Sequence, residues 1–331
     1  MICSAPSGQV EDSGSKRQKW QGNLRPHPRP PKLDGEGCDG AKCRHMRMYL
    51  LPLVACVAFS AALAGPNDID LVGLVDVSDP EKPVARNDDF RALARELGVV
   101  FTPSELQPAE TTGISGFDFA LTYTFHPIDL DKPYWQDALE EKGTRLPMTI
   151  GASARKGFVL PIPLASEVEF GAQYLIESQM LNMGAKVRMA INEGFTGNHW
   201  WVIIPDIAVM TGINRVVGSD DLDLLTVTAG GSISKSFGVF GSFNMTPFIG
   251  YQNIFVNAST RIVDADPTQI ENVEDNVVFT PVLLIQNRIG RISGGIRIIV
   301  ANVALSAGVD VNMLDETTNI YQFGLRTGVY F

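Results

Sequence analysis

His126 is followed closely by Asp129 and Asp131, the residue types that a hydrolase uses as general base and orienting carboxylates. His199, beside Trp200 and Trp201, is the only other histidine after residue 64. Strand parity puts these two histidines at opposite ends of whatever the chain builds, so they share no site. Asp220, Asp221 and Asp223 form one acidic group, and Asp264, Asp266, Glu271, Glu274 and Asp275 form another. Neither has the ordered spacing, turn glycine and terminal bidentate glutamate of a calcium loop. Cys38 and Cys43 with His45 lack a second ligand pair at zinc-finger spacing. These patterns predict solvated side chains, with no catalytic residue, no metal and no cofactor. No enzymatic activity is expected.

Eight other charges share a different regularity. Asp118, Glu169, Lys186, Arg188, Arg291, Arg297, Asp310 and Arg326 each fall on the polar parity of a segment that alternates at period two. In residues 116–125, Phe117, Phe119, Leu121, Tyr123 and Phe125 alternate with Gly116, Asp118, Ala120, Thr122 and Thr124. A helix would scatter those aromatics around its circumference, whereas a strand collects them on one face. The same pattern recurs at 148–155, 168–176, 181–192, 202–214, 222–236, 244–259, 290–300, 302–313 and 321–331. That gives ten strands, with eight to twelve as the bounds. The seventh is ambiguous about which face is outward. Segments of this length and alternation fit an antiparallel up-and-down transmembrane β-barrel, apolar outside and polar inside. The eight charges then face the lumen, where mixed signs pair or line a small water path.

The chain has 331 residues, of which 19% are charged, and a mean hydropathy of +0.06. A soluble protein of this size is usually more charged and a helical membrane protein far more apolar. After Ala64 there remain 18 basic and 32 acidic residues, a balance that opposes nucleic-acid binding. All four cysteines precede Ala64, so the expected mature protein has neither disulfides nor thiolate metal sites.

Residues 46–64 read as a secretory signal. Arg47 leads an apolar run, and Ala62 and Ala64 form a small-x-small cleavage site before Gly65. Cys56, in the stretch Leu53 to Cys56, offers a competing lipoprotein box. Residues 1–45 lack apolar periodicity and read as a disordered, over-extended start. Residues 65–110 form a periplasmic lead-in with a short helix, capped by Asn87, carrying Phe90, Leu93, Ala94 and Leu97 on one face, and stopped by Gly98. That helix packs on the periplasmic mouth or enters the lumen as a plug. A second helix is expected over 134–141. The barrel takes residues 111–331, with both its ends periplasmic and long outer connections at 127–146 and 260–287. Trp200 and Trp201 would sit in a periplasmic aromatic belt.

The last strand places Tyr321, Phe323, Leu325, Thr327, Val329 and Phe331 on one face and ends on the aromatic. This resembles the C-terminal signal of bacterial outer-membrane β-barrel proteins. The resemblance covers residues 111–331 at the level of architecture and names no porin family. It implies export to the outer membrane of a Gram-negative cell. It also implies contact with outer-membrane lipid and recognition by the barrel-assembly machinery through Tyr321, Phe323, Leu325, Val329 and Phe331. The expected role is structural or a passive path for small solutes. An adhesin-like barrel acting through its long outer loops is the alternative, and an outer-membrane hydrolase is the third.

Overall fold

The computed structural model describes residues 67–79, 82–113, 115–139, 147–159, 164–191, 204–219, 221–239, 243–264, 276–314 and 319–331. The signal and its cleavage residues Ala62, Ala64 and Gly65 lie outside these, as do all cysteines, His199, Trp200, Trp201, Asp220 and the acidic residues 266–275.

Ten long strands follow one another: β1 Phe117–Phe125, β2 Met148–Val159, β3 Ala165–Leu175, β4 Leu181–Ala190 and β5 Asp206–Val217. They continue as β6 Leu222–Ser234, β7 Phe243–Thr260, β8 Arg288–Val300, β9 Val303–Met313 and β10 Asn319–Tyr330. Each pairs antiparallel with its neighbours in sequence. β10 returns to β1 in the register Phe323↔Phe125 to Tyr330↔Asp118, so the barrel is closed and no edge remains. Phe117 and Phe331 exchange both backbone hydrogen bonds at the end of this seam, at 2.9 and 3.1 Å.

The alternation sets the two faces. Phe119, Leu121, Phe170, Met183, Ile213, Ile249, Ile292, Leu305, Phe323 and Leu325 are exposed around the outside. Water does not tolerate an apolar ring of that extent, and lipid does. Among the described residues no helix is long and apolar enough to cross a membrane. The crossing is made by strands.

The lumen is filled by the chain's own N-terminal part. Helix α1 (Asn87–Phe101) lies inside the mouth that carries the long connections 126–147 and 261–287. Its buried stripe of Phe90, Leu93, Leu97 and Phe101 packs with wall residues Leu175, Val216, Leu224, Ile254, Val256, Ile289 and Ile320. Each such side chain contributes about 1.5–3 kcal/mol on leaving water. The short helix α2 (Pro133–Ala138) closes over α1, with Trp135 Nε1 donating to Glu96 at 2.5 Å.

From α1, residues 102–110 run extended through the lumen toward the other end. There Ala109 N donates to Ser234 at 3.0 Å and Thr112 N to Glu167 at 3.1 Å. Leu106 is seated on the cross-strand pair Gly308 and Gly324, where an added Cβ would come within 2.9 and 2.7 Å of it.

Three expectations are corrected. The helix enters the lumen, the second of the two expected arrangements, but at the mouth opposite Phe331, where among the described residues the wall offers its stripe an apolar partner. The chain before β1 therefore crosses the lumen, and Asn67 is bound at the far mouth by Ile176 and Glu177. Gly98 does not stop the helix, which continues to Phe101. It allows close approach to the wall, since a Cβ there would lie 2.6 Å from Val256 Cγ2. Asn87 is the first helical residue and not its cap, and its Oδ1 accepts from Thr280 N at 2.7 Å.

Candidate functional site

The lumen holds two layers of polar chemistry. The first is a collar around the C-terminal end of α1, whose last carbonyls have no intrahelical partner. Wall side chains supply the donors. Arg291 reaches the carbonyls of Val99, Thr102 and Pro103 at 3.0, 3.2 and 3.0 Å. Gln322 reaches Val99 at 2.9 Å and Asn182 reaches Phe101 at 2.7 Å. A guanidinium at the negative end of a helix dipole adds about 0.3–1 kcal/mol, and up to about 2 where partly buried. Arg291 is held in turn by Asn312 at 2.5 Å and Asp310 at 3.7 Å.

The second layer is an ion-pair network lower in the lumen. Arg155 donates to Asp118 at 2.7 and 2.5 Å, to Glu167 at 3.1 Å and to the Tyr330 hydroxyl at 2.8 Å. Arg326 also donates to Asp118. Arg188 bridges Glu167 (3.1 Å) to Gln107 (2.8 Å) and to Glu105. Lys186 lies between Glu105 and Glu169 at 3.2 and 2.9 Å. Arg297 pairs with Glu110. The wall and the plug are thus joined through the plug's two carboxylates, Glu105 and Glu110. Beside residues 102–107 lies a cavity of about 80 Å³, lined by Thr124, Gln173, Asn182, Lys186, Gln252 and Arg326 among others. It has room for roughly five waters.

All eight singled-out charges, Asp118, Glu169, Lys186, Arg188, Arg291, Arg297, Asp310 and Arg326, point inward, and they fall into these two layers. Arg155 and Glu167 were missed although they lie on the same inward parity of β2 and β3; the alternation alone would have found them. Glu105, Gln107 and Glu110 were missed because an extended segment that follows the lumen has no period to read. Tyr321, Phe323, Leu325 and Val329 face outward and exposed, with Phe331 at the closing seam.

His126 is not the solvated rim histidine expected from sequence. It is fully buried one residue past β1, where Gln322 Nε2 donates to its Nδ1 at 2.7 Å and its Nε2 meets Thr149 Oγ1 at 2.9 Å. Asp129 is instead engaged in its own loop, accepting from Asp131 N at 3.1 Å. Burial, with Arg291 adding repulsion, pushes the imidazole down to about 3. The unfolded chain would take up this proton near pH 6.5. The neutral histidine therefore contributes stability that is full above pH 6.5 and lost as pH falls from there toward 3. Urea midpoints of the micellar barrel across that window should fall less steeply for His126→Gln than for wild type. Identical slopes would remove His126 from the acid response. Asp223 pairs with Arg215 at 2.9 Å on the exposed surface. Among the described residues no cluster of three metal-ligating side chains occurs.

No family model matches this chain, and no curated protein does. Several solved structures are similar in fold. The translocator domain of autotransporter NalP from Neisseria meningitidis is 9% identical, with 74% of this chain and 98% of that one covered and a TM-score of 0.41. LpxR from Salmonella typhimurium is 8% identical, over 65% of this chain and all of that one, at 0.31. Ail, the attachment invasion locus protein of Yersinia pestis, solved with the heparin analogue sucrose octasulfate, is 11% identical over 66% and 99%, at 0.27. At these identities and scores the similarity is one of barrel architecture and assigns no activity.

Proposed function

We propose that this protein is an outer-membrane barrel shut by its own N-terminal segment, structural in the closed state and a passive path for small solutes only when residues 102–110 move aside. One observation carries the reading: α1 and the extended segment after it occupy the lumen and are bonded to the wall along its length. In this reading the Phe331 end is periplasmic, so the mouth holding α1 faces outward. The exposed apolar ring meets outer-membrane lipid, and the strand ending at Phe331 is what the assembly machinery recognises. The role is not enzymatic, which the engagement of both His126 nitrogens supports.

Purified wild-type protein, confirmed folded by its heat-shifted gel mobility, should give no conductance steps in a planar bilayer at low voltage. A steady open-pore current from such a sample would overturn the sealed reading. The adhesin-like alternative is favoured by Ile262, Val278, Leu283 and Ile285, which stand exposed beyond the strand ends at the mouth holding α1.

A further inference from the structure

We propose that the lumen wall is a binding site for small carboxylates which the plug occupies with its own side chains, so that the path opened by plug displacement prefers anions. This rests on the plugged-barrel reading above.

Between the rims the wall projects six cations inward: Arg155, Lys186, Arg188, Arg291, Arg297 and Arg326. Against them it sets four carboxylates, Asp118, Glu167, Glu169 and Asp310. The wall alone therefore carries an excess of two positive charges. At the rim near Phe331, Asp206 and Lys235 are one charge of each sign and add no net charge. The plug segment supplies the two missing carboxylates, and both sit on wall cations. Glu105 lies on Lys186 and Arg188, and Glu110 on Arg297. A buried excess of charge is costly unless paired, so the wall requires those two positions to be filled by negative groups.

The cation side also has donors to spare. Arg188, Arg297 and Arg326 are each at least 97% buried, and each retains a guanidinium Nε without a hydrogen-bond partner; Arg326 also retains Nη1. Arg326 lines the cavity beside the plug, together with Lys186. Guanidinium forks in a site shielded from bulk water are suited to carboxylates. A carboxylate solute entering when Glu105 leaves would find the same partners that Glu105 has.

The test uses the full chain in planar bilayers under a tenfold potassium chloride gradient. Glu105→Gln with Glu110→Gln loosens the plug and leaves the wall excess intact. This variant should open at least ten times more often than wild type, with a reversal potential of the anion-selective sign. Millimolar succinate should reduce its current. Further changing Lys186→Gln and Arg188→Gln should move the reversal potential to zero or to the cation side. Heat-shifted mobility shows that each variant is folded.

A disulfide lock separates the two levels of the claim. A Cβ built at Gly324 comes 3.1 Å from Leu106 Cγ, so Leu106→Cys with Gly324→Cys places two sulfurs within bridging reach. The expected mature chain has no competing cysteine. In the glutamate variant the oxidised lock should abolish openings and reduction should restore them. Openings that ignore the lock would overturn the plugged reading. Openings that obey the lock but show no anion preference would overturn the carboxylate site alone. A glutamate variant as silent as wild type would also overturn it, because the carboxylates would not be what holds the segment on the wall.

Discussion

Arg155→Met should lower the unfolding free energy of the barrel by about 3–5 kcal/mol, the cost of stranding buried partners of a removed charge. Arg155 is fully buried and ties three other strands to its own β2. Its Nε and Nη2 hold Asp118 on β1, its Nη1 holds Glu167 on β3, and its Nη2 also reaches Tyr330 at the end of β10. Without it, Asp118 keeps Arg326 and Glu167 keeps Arg188, one cation each for carboxylates that had two. Two unit charges 4 Å apart interact by about 4 kcal/mol at an effective dielectric of about 20, which agrees with the expected loss.

The contrast is Arg215→Met. Arg215 pairs with Asp223 at a similar distance, but both side chains are more than half exposed, and such pairs are worth about 0–1 kcal/mol. Guanidinium titrations of the micellar protein measure both. Adding Glu167→Gln alone to Arg155→Met should recover most of the loss, because Asp118 then keeps Arg326, Arg188 keeps Glu105, and the lumen charges balance again. A loss below 1 kcal/mol for the single variant would mean that lumen water, not Arg155, neutralises the carboxylates.

The barrel was legible in the sequence because lipid and lumen impose opposite demands on alternate residues. Phe119, Leu121 and Tyr123 against Asp118 and Thr122 state both demands within one strand. Legibility fell where the lumen is not water. On β7 the inward residues Ile254, Val256 and Ala258 are as apolar as the outward Ile249 and Tyr251, because they meet α1. Period two then marks a strand but not its faces, and the ambiguity of the seventh strand was itself the trace of a plug. The helix stripe of Phe90, Leu93 and Leu97 was equally visible, yet nothing local says against which end of a barrel it packs. That is settled by the complementary apolar band on β3, β5, β6, β7, β8 and β10, residues far apart in sequence. Glu105 and Glu110 were illegible for another reason. Their role depends on Lys186, Arg188 and Arg297, and an isolated acidic residue in an aperiodic stretch carries no sign of its partner.

Phe90→Ala should cost the plug about 3–5 kcal/mol while leaving the barrel wall assembled. Phe90 is fully buried at the first turn of α1 and packs on Phe279, with ring centroids 5.1 Å apart and planes tilted by 39°. Such a pair adds about 0.5–1.5 kcal/mol to the area it buries. Its loss leaves a cavity between α1 and the connection after β7. The wall has its own continuous ladder from β1 to β10, so the damage should stay local. Trypsin should then cut at Arg91 or Arg95 in the folded variant and not in wild type, while the heat-shifted band persists. Phe279→Leu should produce a weaker form of the same sensitivity, and the two changes together should cost less than their separate effects combined. If Phe90→Ala instead abolishes the heat-shifted band, the plug is part of the barrel's folding core, and a segment that moves aside within an intact wall is ruled out.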